Sequence, residues 1–109
     1  MSDNPDIIVS DLIIKDKERY TRLVSKFIKL LPAFIEEFEE PLGVKDYDTL
    51  KSIAHRLKGA GGNFGYMQIT ETCREMEAAI KEDAFEQVNV LYQQLLDIRD
   101  KILLGWEQA

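Results

Sequence analysis

The segment AHRLKGAGGNFGY, residues 54–66, holds the only histidine of the chain and four of its six glycines. His55 is followed at i+3 by a cation, Lys58, and at i+4 and i+7 by bare positions, Gly59 and Gly62. That spacing suits phosphoryl transfer. A neutral imidazole nitrogen is nucleophilic near physiological pH, a lysine ammonium offsets phosphoryl charge as a mobile point charge, and glycines leave room for a partner to reach the ring. Phosphoryl transfer depends mainly on positioning and charge stabilisation, so an exposed histidine can serve if the partner supplies metal and acceptor carboxylate. A metal site is poorly supported by comparison. The segment has no HxxH or CxxC pair, and Asp48 is the only second strong ligand expected on the histidine's face.

The face assignment rests on helical geometry. At about 100° per residue, Leu50, Ile53, Ala54, Leu57, Ala60, Gly61 and Phe64 share an inward stripe, and His55 points about 160° away from Leu57. Gly59 and Gly62 point outward with it, while Lys51 and Lys58 lie on one flank. An internal helical glycine is about 0.8–1 kcal/mol worse than alanine, so the outward pair gives up about 2 kcal/mol with no packing gain legible in the sequence. Gly61 reads differently, as a position where a neighbouring helix approaches. The competing reading ends the helix early and makes these glycines an ordinary loop.

The elements that must position this face are helices throughout. Between Asp16 and Glu40 the residues Tyr20, Val24, Phe27, Leu31, Phe34, Ile35 and Phe38 keep one stripe in phase across Pro32, which predicts a long helix kinked at the proline or two abutting helices. Ahead of it, a short helical turn begins near Ser10 or Asp11, and residues 1–10 are expected to be loose or extended. PLGVK, residues 41–45, reads as a connection, with Asp46 as the N-cap of the histidine helix and Gly65 as its left-handed C-terminal residue. Ile69, Cys73, Met76 and Ile80 predict a helix over 67–81 with Cys73 as a core thiol. DAFE, residues 83–86, reads as a capping box in which Asp83 caps the last helix and Glu86 reaches back. The fold class is all-α: an antiparallel up-down-up-down four-helix bundle with a short extra N-terminal helix, in one domain spanning 1–109.

Composition narrows the partners. Fourteen basic and twenty acidic residues give a net charge of −6, which argues against a general nucleic-acid or anionic-membrane surface. A lone cysteine and a start without a basic lead into an apolar run argue for the reducing cytoplasm, and no apolar run approaches the roughly 20 residues of a membrane span.

AHRLKGAGGNFG is similar to the signature of histidine-containing phosphotransfer (HPt) domains, an Ala-His-x-Leu-Lys-Gly core with glycines at His+7 and His+10. Here these are His55, Lys58, Gly59, Gly62 and Gly65. The likeness extends to FIKLLPAF before the signature and CREMEAA after it. The resemblance implies a phosphocarrier in a two-component phosphorelay. His55 would accept a phosphoryl group from an aspartate of one receiver domain and pass it to an aspartate of another, with Lys58 steadying the group and Gly59 and Gly62 keeping the approach open. The implied partners are receiver domains of response regulators and of a hybrid sensor kinase, which bring Mg²⁺. The chain itself would be a monomer with no intrinsic cofactor and no kinase activity. Lys51 and Arg56 add local positive charge for docking, or are ordinary solvated charges. The alternative is a docking module that binds receiver or kinase domains without phosphate turnover. A third reading, His55 as a general acid or base, needs a pocket and a second polar group that a convex helix face does not provide.

Overall fold

Three of the helices begin on the same chemistry, a side-chain oxygen accepting from an otherwise unpaired first-turn N–H. In the computed structural model, which describes residues 6–108, Ser10 Oγ accepts from the Leu12 N–H at 3.1 Å, Asp16 Oδ1 from the Arg19 N–H at 3.1 Å, and Asp46 Oδ1 from the Thr49 N–H at 3.2 Å. They open α1 (Asp11–Lys15), α2 (Lys17–Glu36) and α4 (Tyr47–Asn63). The remaining elements are α3 (Glu39–Val44), α5 (Met67–Lys81) and α6 (Phe85–Gln108), and no strand occurs among the described residues.

Pro32 does not divide the second helix. α2 runs through it as one element, giving up the single hydrogen bond that a residue-32 N–H would make to the Ile28 carbonyl. It stops at Glu36, four residues before the stripe suggested, because Glu37 and Phe38 tighten onto Phe34 and Ile35 through i→i+3 bonds of 3.3 and 3.1 Å. Residues 41–45, expected as a connection, instead belong largely to α3. Pro41 falls in its first turn, where its missing N–H breaks no helical bond, and the residue is buried.

Three helices end in the same way. After α4, Gly65 takes φ +82° and the Tyr66 N–H returns to the Gly61 carbonyl at 2.8 Å, which satisfies a last-turn carbonyl. Lys45 (φ 58°) closes α3 and Asp83 (φ 57°) closes α5 with equivalent 2.8 Å bonds, Asp46 N–H to Pro41 and Ala84 N–H to Ala79. This corrects the capping-box expectation. Asp83 belongs to the end of α5, and α6 is entered at Ala84, whose carbonyl accepts from Gln87 and Val88.

α4 packs on α5, α5 on α6, and α2 against α6, with α1 on α2 and α3 on α4. Their shared interior is apolar: Leu31, Ile35, Phe38, Leu50, Leu57, Ile69, Met76, Leu91, Leu95 and Ile102 are fully buried. Of the residues expected to be loose or extended, 1–5 lie outside the described part. Residues 6–10 are non-helical but fixed: the Ile8 N–H donates to the Lys101 carbonyl at 3.0 Å, and the Asp11 N–H to the Gly65 carbonyl at 2.8 Å. Ser10, fully buried, donates its Oγ proton to the Phe64 carbonyl at 2.6 Å. These bonds hold the α4–α5 junction from outside both helices.

Candidate functional site

α4 is inward-facing at Leu50, Ile53, Ala54, Leu57 and Gly61, all buried, so His55 is forced to the opposite side. Its side chain is 70% exposed. Lys58 lies one turn on, leaning toward α5 and only 28% exposed.

The two are joined by a residue the sequence reading did not single out. Glu77 of α5 places Oε1 2.7 Å from Lys58 Nζ and Oε2 3.4 Å from His55 Nδ1. Burial works to raise the Glu77 pKa, but hydrogen bonding and charge from Lys58, and then from His55, outweigh it and hold the carboxyl below its ordinary value. Glu77 is therefore a carboxylate, which can only accept. Its contact with Nδ1 thus favours the tautomer with the proton on Nδ1, leaving the Nε2 lone pair free toward solvent. Glu77 also supplies the second polar group that the sequence reading found missing. Its cue was present in CREMEAA: Glu77 follows Cys73 by four residues and borders the buried stripe of α5.

Close contact between α4 and α5 makes this bridge possible, and Gly61 permits it. A Cβ at Gly61 would meet Ile69 Cβ and Cγ2 at 2.9 Å and Thr70 Oγ1 at 3.0 Å. Thr70, buried in the same seam, donates to the Lys58 carbonyl at 2.8 Å. The backbone under Lys58 is thereby tied to α5, as its ammonium is. Cys73 is buried nearby; desolvation, with a smaller push from Glu77 that Lys58 opposes, raises its thiol to about 12.

The outward glycines are not required by packing. A Cβ at Gly59 would have nothing within 4 Å, and at Gly62 it would make ordinary contact with Thr70 Oγ1 at 3.5 Å. Lys51 is exposed and makes no ion pair among the described residues. Arg56 is turned away from the cluster: it donates to Glu37 Oε1 at 3.0 Å and lies over the Phe34 ring at 5.4 Å, binding α4 to α2. Among the described residues no group of three or more His, Cys, Asp or Glu side chains could hold a metal ion. Among the described residues no helix is long and apolar enough to cross a membrane.

An exposed imidazole with one nitrogen held by a carboxylate and a lysine alongside can take and release a phosphoryl group. A family model for the Hpt domain matches residues 22–102, from the second turn of α2 to near the end of α6. The chain belongs to the Hpt domain family. Hpt domains are phosphocarrier modules of two-component and phosphorelay signalling, generally not enzymes, and the family interacts with receiver domains. No curated protein and no solved structure matches the chain.

Proposed function

We propose that this Hpt domain is a phosphocarrier whose phosphorylated residue is His55. The observation that carries the reading is the Glu77 carboxylate shared between His55 Nδ1 and Lys58 Nζ beneath an exposed ring. The Nε2 lone pair attacks the phosphorus of a receiver's aspartyl phosphate, forming N–P as the P–O bond to the carboxyl breaks and the aspartate leaves as carboxylate. Nδ1 keeps its proton throughout, and Glu77 neutralises the cationic ring. Lys58 steadies the phosphoryl oxygens. Attack on phosphorus by a second receiver's aspartate breaks N–P and returns the neutral imidazole. The divalent cation, Mg²⁺, is assigned to the partner's acidic site, and Gly59 and Gly62 keep the approach clear.

The rest of the assignment follows from this role: receiver domains of a hybrid sensor kinase and of response regulators as partners, no kinase activity, a monomeric domain over 1–109, and a cytoplasmic location. Packing of α4, α5 and α6 in chain order through short connections supports an antiparallel up-down-up-down bundle.

Incubation with a phosphorylated receiver domain tests the reading. An acid-labile, alkali-stable label on the wild type that is lost in His55→Gln supports the carrier; binding without label supports docking alone.

A further inference from the structure

α5 faces α4 with a stripe that is not wholly apolar. Thr70, Cys73 and Glu77 succeed one another at spacings of three and four, so all three look toward the helix that carries His55. Cys73 in the middle is a buried thiol. The residues on either side of it both end on Lys58: Thr70 Oγ1 donates to its carbonyl at 2.8 Å, and Glu77 Oε1 lies 2.7 Å from its ammonium. One residue of α4 is thus held at its backbone and at its tip by the same face of α5.

The Thr70 bond departs from what helical threonine does by default. Its hydroxyl ordinarily turns back to the i−3 or i−4 carbonyl, as that of Thr21 does in α2 with the Lys17 carbonyl. The i−4 carbonyl of Thr70 is that of Tyr66, which receives the N–H groups of Ile69 and Thr70 at 3.0 and 3.4 Å, and the hydroxyl crosses the seam instead. Two glycines open its path. Thr70 Oγ1 lies 3.0 Å from where a Cβ of Gly61 would stand and 3.5 Å from that of Gly62. A mid-helix carbonyl commits one lone pair to the i+4 N–H and has another to spare; Thr70 takes the spare one at Lys58.

Among the described residues, three polar side-chain contacts join α5 to α4: Glu77 to His55, Glu77 to Lys58, and Thr70 to Lys58. The two on Glu77 change when a phosphoryl group arrives, because its anionic oxygens compete for the Lys58 ammonium and the ring becomes cationic. The Thr70 contact involves neither group. We infer that Thr70 is a positioning residue for transfer: its hydroxyl holds the Lys58 turn against α5 while the ammonium leaves Glu77 for the phosphoryl oxygens and returns. The inference rests on the phosphocarrier reading, which puts Lys58 on the phosphoryl group. Packing of Ile69 against Gly61 holds the helices together without direction, whereas the bond fixes the register on which the reach of Lys58 depends.

Thr70→Ala and Thr70→Ser differ by the hydroxyl alone, and alanine is the better helix former, so the pair isolates the bond. Label enters His55 from phosphorylated receiver domains and, without a protein partner, from phosphoramidate. Thr70→Ala is expected to lower both the kcat of receiver transfer and the phosphoramidate labelling rate about fivefold, the size of one net hydrogen bond, with the receiver KM unchanged. Thr70→Ser should restore both rates. In a Lys58→Met background the alanine substitution should cost nothing further, since the ammonium it positions is gone. An alanine variant as fast as wild type, a serine variant as slow as alanine, or an equal loss with and without the Lys58 ammonium overturns the positioning role and leaves the carrier reading standing. Circular dichroism checks folding; should the alanine chain fail to fold, Thr70→Val, which fills the same space without a donor, takes its place in the series. Absence of label from every receiver, with phosphoramidate labelling intact, overturns the carrier reading, and the phosphoramidate series then decides the role of Thr70 alone.

Discussion

Lys58 Nζ lies 2.7 Å from Glu77 Oε1, so the cation beside His55 is held by a carboxylate from the neighbouring helix. Because the other oxygen of Glu77 faces His55 Nδ1 at 3.4 Å, one side chain sets both the ring and its cation. A partly exposed ion pair contributes at most about 1 kcal/mol to stability. Glu77→Gln should therefore leave the fold intact while slowing transfer about fivefold, a loss of similar size. Its ¹⁵N spectrum should show the His55 tautomer preference weakened, which a purely structural role would not produce. Stopped-flow transfer and imidazole NMR check the two halves.

The same contact has a pH signature. The Glu77 pKa is lower in the fold than its usual 4.5, against burial, because Lys58 and His55 favour the carboxylate. In the interval between the two values the unfolded chain binds more protons, so stability rises with pH there. The contribution is complete above the usual glutamate value and is lost as acidification passes the lower, folded value. Melting temperatures from pH 7 downward should fall more steeply for the wild type than for Glu77→Gln, and only in that acidic window.

The glycines separate in a substitution series. Gly59→Ala should raise stability by about 0.8–1 kcal/mol, since the helix gains propensity and the added methyl meets nothing within 4 Å. Gly61→Ala should lower it by about 1–3 kcal/mol, because Ile69 and Thr70 must move from contacts of 2.9–3.0 Å. Gly59→Leu should fold and transfer slowly. Denaturant titration reads the first two variants; transfer from a phosphorylated receiver reads the third, and an undiminished rate removes the clearance role.

Cys73 should be inert in the native state. Burial first, then Glu77, raises its thiol from 9.0 to about 12. At pH 8 a disulfide reagent should leave it unmodified until guanidinium unfolds the chain. The stability favouring the protonated thiol is complete below pH 9.0 and declines as pH rises toward about 12.

What the sequence disclosed was whatever depends on neighbours along the chain. Ser10 and Asp46 cap as expected, Gly65 turns left-handed, Cys73 is buried, and His55 faces out, because each follows from helical period or local backbone chemistry. Pro41 was misread because proline stops helices in their interiors and is tolerated in their first turns, and only the turn at Phe38 decides which applies. Asp83 was misread because one acidic residue at a helix junction can begin the next helix or end the last. Glu77 stayed hidden since its partners lie 22 and 19 residues away, and their meeting depends on the register of α5 against α4, set by Gly61 and Thr70.

The Ser10–Phe64 bond spans 54 residues, and with the Asp11–Gly65 bond it ties the earliest described turn to the far end of the histidine helix. Mechanically, this makes the N-terminal segment a tether on α4. A pull applied ahead of α1 would arrive at the backbone two turns beyond His55 without passing through α2 or α3.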